Sequence, residues 1–512
     1  MVAVSLDEAG HGVGPEVGAT GGGGDAGARG TVAAGAGAGT GGASAAGAAG
    51  GAGAVGAGGA GGPGSAGGAG GATSASGAGS ARAIHVSDLL PGERAEVVID
   101  HVSPHRAEAW GHVTRRLGPP SPDRVAPACP AFGRCGGCVW QHLAYPAQLA
   151  AKHARVAAAL AAVPAVRDSA VAIAPVVPSP AITGYRNKGK YVAGRSGDHL
   201  VLGAYAPRSH HVIDTLGCRV VAPIIDEVAT WLRGAAEGAE LAAYDEGRRE
   251  GELRYAIVRE AEGDALVALV VAPRTPRGKL EQVAAALARH PAVRGVVAIE
   301  NDRRDGAIVP SGSSAQVLLG HGSVVEHVAG VPVEVGAGEF LQVNRAQAAA
   351  LYARVAELAE ARPGLRAADL FAGVGDIGLH LARAGAAVTA VELDPEAVAQ
   401  LRRAAQRAGL PLEAIAADAG ELPARAREAL AGGVDVAVVN PPRKGLSAGA
   451  RALLAGLGAP TVIYVSCGPE SLARDLAALG EAGWFPDAIE PYDLMPGTAQ
   501  IETIVRLRRR GA

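Results

Sequence analysis

From residue 366 onward the apolar positions alternate between short continuous runs and longer amphipathic stretches. Ala367 to Phe371 is an apolar run of strand length, Gly373-Val374-Gly375-Asp376-Ile377-Gly378 turns into a helical stretch, and Ala387 to Glu392 is the next run. Asp394 then stands at an N-cap position, with Pro395 at the first helical residue and Gly409 just beyond the end. Runs at 434–440 and 461–467, with a final pair near 487–493 and 500–507, complete the alternation. This rhythm predicts an α/β fold over 341–512, a doubly wound and mostly parallel sheet.

Upstream the rhythm is less regular. Residues 183–340 mix short β-like runs (Leu266 to Val271, Gly295 to Ile299, Val331 to Val335) with amphipathic helices. They predict a central α+β domain at 121–340, whose Pro/Gly/Cys-rich start at 121–155 runs into a helix from Pro146 to Ala162. Asn344 is placed to cap a helix over 345–361. Nearer the start, short runs at Val4 to Asp7, Gly12 to Gly14, Arg82 to His85 and Ala95 to Ile99 predict one small β-barrel over 1–120. Residues 21–80 interrupt it with Gly/Ala/Ser low complexity. Positions 1–80 hold 31 Gly and 23 Ala, which cannot build a core, so a flexible loop insertion is expected at 21–80. A disordered tail before a domain that begins near 82 is the alternative.

Composition narrows the class. The chain has 512 residues, 48% of them apolar, yet no uncharged apolar run of about 18, so no membrane span is expected. A basic region followed by an apolar one is missing at the N-terminus, which predicts a cytoplasmic protein without a secretory signal. The net charge of −3 by itself argues against a nucleic-acid binder, but its distribution argues for one. Between His101 and Val220 there are 14 Lys and Arg against 5 Asp and Glu, a basic segment in an otherwise acidic chain. Such a segment suits a phosphate-backbone partner, and a solvated charged face is the plainer alternative. Of the 47 basic residues only five are Lys, a bias of high-G+C coding, so Arg richness alone says nothing about RNA.

The candidate chemistry clusters late in the chain. Gly373-x-Gly375-x-x-Gly378 lies between a strand and a helix, where glycines let backbone approach a ligand. Glu392 ends the next strand and could accept ribose hydroxyls, and Asp418 could hold an adenine amino group. These features fit a nicotinamide cofactor, S-adenosylmethionine, or a purely structural turn. Asn440-Pro441-Pro442-Arg443, at the carboxyl end of the fourth strand and with no hydride-acceptor pattern after it, tips the reading to a methyl donor. Cys467 sits at a strand end before a helix, where unpaired N–H groups should favour its thiolate; an inert buried thiol is the alternative. Glu502 lies inside the apolar run Ile501 to Val505, as an edge or paired acid or as a general base with a raised pKa. Five Cys make no disulfide framework: Cys129, Cys135 and Cys138 fall within ten residues, Cys218 lies further on, and Cys467 stands alone.

Seven spaced motifs, in order, resemble the bacterial RNA 5-methyluridine methyltransferases with an N-terminal TRAM domain. They are Cys129-Pro-Ala-Phe-Gly-Arg-Cys135-Gly-Gly-Cys138, Gly184-Tyr-Arg-Asn-Lys188, Phe340-Leu-Gln342-Val-Asn344, Asp369-Leu-Phe371-Ala-Gly373-Val-Gly375, Pro441-Pro-Arg443, Ser466-Cys467-Gly-Pro469 and Thr498-Ala-Gln-Ile-Glu502-Thr503. The resemblance implies a class I S-adenosylmethionine-dependent fold, with Gln342, Phe371, Gly373, Gly375, Asp376, Glu392, Asp418 and Asn440 around the donor. It implies that the Cys467 thiolate adds to carbon 6 of uracil and makes carbon 5 nucleophilic enough to take the methyl group. Glu502 then removes the carbon 5 proton and elimination frees the cysteine. The target uridine would be flipped out of any stack.

The resemblance further assigns Cys129, Cys135, Cys138 and Cys218 to a [4Fe–4S] cluster, although four thiolates also suit structural zinc. It points to 23S ribosomal RNA before tRNA, and to no obligate protein partner. The chain departs from the family pattern at Asn440, where Asp is usual, at Gly468 and Gly497, where Asn and His are usual, and at Asp376, where Asn is usual. Those departures keep two other readings open. One is an amino-methyltransferase using Asn440-Pro-Pro, and the other is a non-catalytic RNA-binding or ribosome-assembly factor.

Overall fold

The computed structural model describes residues 5–6, 11–15, 17–19, 29–32, 82–207, 209–310 and 312–510. They form two compact units, Met1–Pro122 with Asn301–Gly312, and Asp123–Glu300 with Ser313–Ala512.

In the first unit seven strands form one sheet, ordered Ser5–Leu6, Gly12–Pro15, Ala83–Ser87, Glu108–Arg116, Ala95–Val102, Arg29–Val32, Val17–Ala19. Alternate residues of its longer strands are buried, and Ile84, Val86, Ala95, Val97 and Ala109 meet with Leu89 in a small core. The strand Arg29–Val32 falls inside the stretch expected to be a featureless insertion, and it pairs antiparallel with 95–98. Arg29, Thr31 and Val32 interrupt the Gly/Ala run there, and the β-branched pair favours a strand, a local signal lost in composition averaged over sixty residues. The remainder of the expected insertion lies outside the described residues.

The second unit carries two seven-stranded sheets. The first is mixed and mainly antiparallel, ordered Val212–Asp214, His199–Tyr205, Lys188–Ser196, Leu253–Ala261, Asp264–Val271, Val293–Glu300, Ala315–Gly320. Helices Pro223–Gly238 and Arg277–Leu287 cover it with Ile225, Val228, Leu232, Leu280, Val283 and Leu287. The other sheet runs Leu412–Ala416, Ala387–Glu392, Arg366–Leu370, Val436–Val439, Thr461–Ser466, Glu502–Arg509, Trp484–Tyr492. Its first five strands are parallel and the last two antiparallel. The strand Val436–Val439 is buried throughout, the pattern of a parallel sheet covered on both faces. The strand order switches sides at the 366–370 strand, whose parallel neighbours 387–392 and 436–439 lie on opposite flanks, and a switch of this kind opens a crevice at the carboxyl ends.

Candidate active site

That crevice is a cavity of about 1060 Å³, lined by the ends of the parallel strands and by 494–502. The sequence-predicted residues Gln342, Phe371, Gly373, Asp376, Glu392, Asp418, Asn440, Cys467 and Glu502 all line it. Gly375 does not. It caps the helix Asp376–Arg383 at φ +99° and passes against Leu401, where a side chain would collide, so its task is to let the turn close. Gly373 also has positive φ (+58°), and its N–H donates to Glu392 Oε2 at 2.9 Å. Glu392 Oε1 accepts from Asp394 N–H at 3.0 Å. Two backbone donors thus fix the carboxylate while leaving further lone pairs for a ligand. Phe371 holds φ +65°, a strained conformation for an aromatic residue, immediately before the turn.

Several lining residues went unassigned in the sequence. Asp369 is fully buried and lies beneath the turn, and burial pushes its carboxyl up to about 8. Burial also pushes Asp376 up to about 7, although Tyr352 Oη donates to its Oδ2 at 3.2 Å. Arg443, quoted only as part of a motif, donates from Nη2 to Gln500 Oε1 at 3.2 Å, and its charge reaches both Cys467 and Glu502. Phe340 and Leu393 are the two most exposed large apolar side chains among the described residues, at 70% and 66%, and both line the cavity. Exposure cannot be read from sequence, so Phe340 entered only as part of a motif and Leu393 not at all.

Cys467 lies just before the helix Pro469–Glu481, with Gly468 as its N-cap. The expectation that this helix end favours the thiolate does not hold. Burial pushes the thiol up to about 11, and the nearby Glu502 carboxylate adds to it, against a smaller pull from Arg443. Desolvation of the charged form outweighs the helix end here. Glu502 opens the strand Glu502–Arg509 and is itself pushed up to about 8 by burial, with Arg443 and Gln342 acting in the other direction. A thiol and a carboxyl, each favoured in its neutral form, therefore share one wall of the cavity.

The other four cysteines line a separate cavity of about 280 Å³, together with Arg186, Lys188 and Lys190. Burial raises the Cys135 and Cys138 thiols, and each also feels Cys218, while Arg186 pulls them down. All are free thiols. Among the described residues no three Cys, His, Asp or Glu side chains close to the distances of a single metal ion. No helix among them is long and apolar enough to cross a membrane.

Residues 367–443 match the family model for a methyltransferase domain. The chain is 35% identical over 430 residues to an uncharacterised RNA methyltransferase of Thermosynechococcus vestitus, spanning 83% of this chain and 93% of that one. A second, from Halalkalibacterium halodurans, is 31% identical over 430 residues, with 83% and 92% covered. Among solved structures, the tRNA (uracil-54, C5)-methyltransferase of Pyrococcus abyssi in complex with S-adenosyl-L-homocysteine shares the fold. It superposes at a TM-score of 0.65 and 24% identity, over 83% of this chain and 95% of that one. The C-terminal sheet is accordingly that of the class I S-adenosylmethionine-dependent enzymes, and the chain belongs to the family of RNA methyltransferases.

Proposed function

We propose that the protein methylates carbon 5 of uridine in RNA, with 23S ribosomal RNA as the substrate, Cys467 as nucleophile and Glu502 as base. The observation that carries this reading is the meeting of a cysteine and a buried carboxyl in the same cavity as the glycine turn and Glu392. A methyl donor alone would need neither. The cavity, at the upper end of the usual range for small-molecule sites, has room for a donor and one nucleobase. Glu392 and Asp418 would hold ribose and adenine, Gln342, Phe371, Gly373, Asp376 and Asn440 would complete the donor site with Gly375 shaping the turn behind them, and the exposed Phe340 and Leu393 offer apolar faces to planar rings. In this reading residues 341–512 do the chemistry, 121–340 present the RNA surface, and 1–120 form a TRAM-like RNA-binding barrel. The test is tritium release from RNA labelled at uridine carbon 5, followed together with methyl uptake. Uptake without release would place the methyl on nitrogen and favour the Asn440-Pro-Pro reading; RNA binding with neither would favour a binding factor.

The ligand-free site has a pH signature. The folded-state pKa of Asp369, Asp376 and Glu502 lies above the ordinary carboxyl range, at about 8, about 7 and about 8. Between that range and pH 8 the folded state binds more protons than the unfolded state, so stability falls as pH rises. The melting temperature of donor-free protein should therefore drop from pH 5 to pH 7, above which Lys188, pushed down to about 6 by burial, acts in the opposite direction. A sulfonium in the cavity favours the ionised carboxylates, so the shift produced by S-adenosylmethionine should grow with pH. S-adenosylhomocysteine lacks that charge and should give a flatter response. Thermal-shift curves with both ligands decide it; parallel responses would remove the sulfonium from this cavity.

Cys129, Cys135, Cys138 and Cys218 fit a [4Fe–4S] cluster. Their shared cavity is larger than one ion bonded to four sulfurs at about 2.3 Å requires, and three basic side chains line it to offset thiolate charge. When bound, the cluster would brace this lobe through four thiolate bonds. Protein purified without oxygen should carry iron and sulfide and absorb broadly in the visible, and Cys135→Ser should lose both. Stoichiometric zinc without visible absorbance would settle the matter the other way.

A further inference from the structure

The helix Tyr145–Leu160 buries polar side chains where an amphipathic pattern calls for apolar ones. Gln148 and Lys152 are buried along with Val156 and Leu160, and Arg155 continues the i, i+4, i+7 stripe. A buried amide or ammonium is costly unless it is fully hydrogen-bonded. Each of the three has a partner on one short irregular segment, 493–500, which leads into Glu502, and Arg155 also pairs with Glu470 through Nε and Nη2 at 3.2 to 3.3 Å.

Lys152 Nζ donates to Asp493 Oδ1 at 2.6 Å, with both side chains fully buried, and to the Met495 carbonyl at 3.2 Å. Gln148 Oε1 accepts from Gly497 N–H at 2.8 Å, while its Nε2 donates to the Trp140 and Leu143 carbonyls. Trp140 N–H donates to the Gly497 carbonyl at 2.9 Å, and Arg155 Nη1 to the Ala499 carbonyl at 2.9 Å. Tyr185 Oη and Asn344 Nδ2 take the carbonyls of Pro496 and Leu494, at 3.0 and 3.1 Å. Five carbonyls of a segment outside any helix or strand are thus fixed from elsewhere in the unit. The same segment presents Leu494, Met495 and Gln500 to the active-site cavity. A buried ion pair is weak evidence for stability, since apolar replacements often do as well, so placement is the better account of this one.

We infer that Gln148, Lys152 and Arg155 are positioning residues that set the Glu502 carboxylate through segment 493–500. The inference rests on the proposed carbon-5 reaction. There, the Cys467 sulfur bonds to carbon 6, carbon 5 takes the methyl as the donor's sulfur–carbon bond breaks, and S-adenosylhomocysteine leaves. The base then accepts the carbon 5 proton, and that electron pair expels the thiolate. A displaced base stalls only this last step, so a methylated protein–RNA adduct accumulates.

The experiment compares wild type, Gln148→Met, Arg155→Met, Arg155→Lys and Glu502→Gln as full-length protein purified without oxygen. Each is given S-adenosylmethionine and RNA tritiated at uridine carbon 5. Single-turnover methyl transfer, tritium release and adduct resistant to detergent are read side by side. In the two Met variants transfer should stay within about threefold of wild type while release slows about tenfold or more, the scale of a displaced general base. Adduct should build up as in Glu502→Gln, and Arg155→Lys should recover release. A proportional fall in transfer, adduct and release would mean a merely structural role and overturn the inference, as would unchanged release. Arg155 keeps 18% of its side chain in solvent, so Arg155→Met decides the matter if Gln148→Met does not fold. If Glu502→Gln yields no adduct, the proposed reaction itself fails and the positioning role falls with it.

Discussion

Cys467→Ala is expected to lower methyl transfer by roughly 10⁴-fold or more, the scale on which a covalent nucleophile is lost, and to abolish tritium release. The size follows from the chemistry of uracil, whose carbon 5 is too poor a nucleophile to attack a sulfonium until a thiolate has added at carbon 6. Burial holds the Cys467 thiol up at about 11, so little thiolate exists at neutral pH without a further cation beside it. A sulfonium nearby and the Arg443 guanidinium both favour the thiolate, which ties nucleophile activation to donor binding. Donor affinity should survive the substitution, since two strands of the sheet separate the strand that ends at Glu392 from the one that leads to Cys467. Scintillation counting of released water with the same RNA checks the loss; residual transfer within tenfold of wild type would end the covalent reading.

Glu502→Gln should reduce turnover by about 10² to 10⁴, the range for removing a general base, with a different signature. Methyl transfer in the first turnover should persist, and a methylated adduct resistant to detergent should accumulate in amounts approaching the enzyme. The amide preserves the shape and the contact with Gln342 while taking away the capacity to accept a proton. In wild type, turnover should fall on the acid side of a pKa at or below about 8, because Glu502 must be ionised to act and the donor's positive charge can only lower it. That limb should vanish from what remains of the variant's activity. Gel electrophoresis of labelled RNA with the protein separates the two variants at once, since Cys467→Ala forms no adduct and Glu502→Gln cannot resolve one.

Local signals carried much of the fold. The glycine turn, the Asp394 cap, whose side chain accepts from Glu396 N–H at 3.0 Å, and the Asn344 cap, which accepts from Gln347 N–H at 3.3 Å, are each set by residues within a few positions. The chain therefore announces them in any short window. The mixed central sheet was harder to foresee, because its strands pair across long separations and the strand Leu253–Ala261 is buried along its whole length, so it shows no alternation. Arg29–Val32 was lost in the composition of its surroundings. At the site, motif residues gathered in one cavity, but the raised Cys467 thiol reverses the sign expected from its helix end, because burial cannot be seen in sequence. The stripe of Gln148, Lys152 and Arg155 was visible as an irregularity of a helix face. Its meaning depended on a segment more than three hundred residues away.

The order of strands in the C-terminal sheet has a consequence for synthesis. Glu502–Arg509 is inserted between Thr461–Ser466 and Trp484–Tyr492, although it follows both in the chain. While the ribosome is still making that stretch, Thr461–Ser466, apolar and buried in the finished protein, presents an unpaired edge, and Trp484–Tyr492 pairs in the finished sheet only with Glu502–Arg509. A nascent chain stopped before residue 502 thus lacks more than the proposed base: it carries an open sheet edge prone to aggregation. Completion of the catalytic site and closure of the sheet are one event, brought about by the same eight residues.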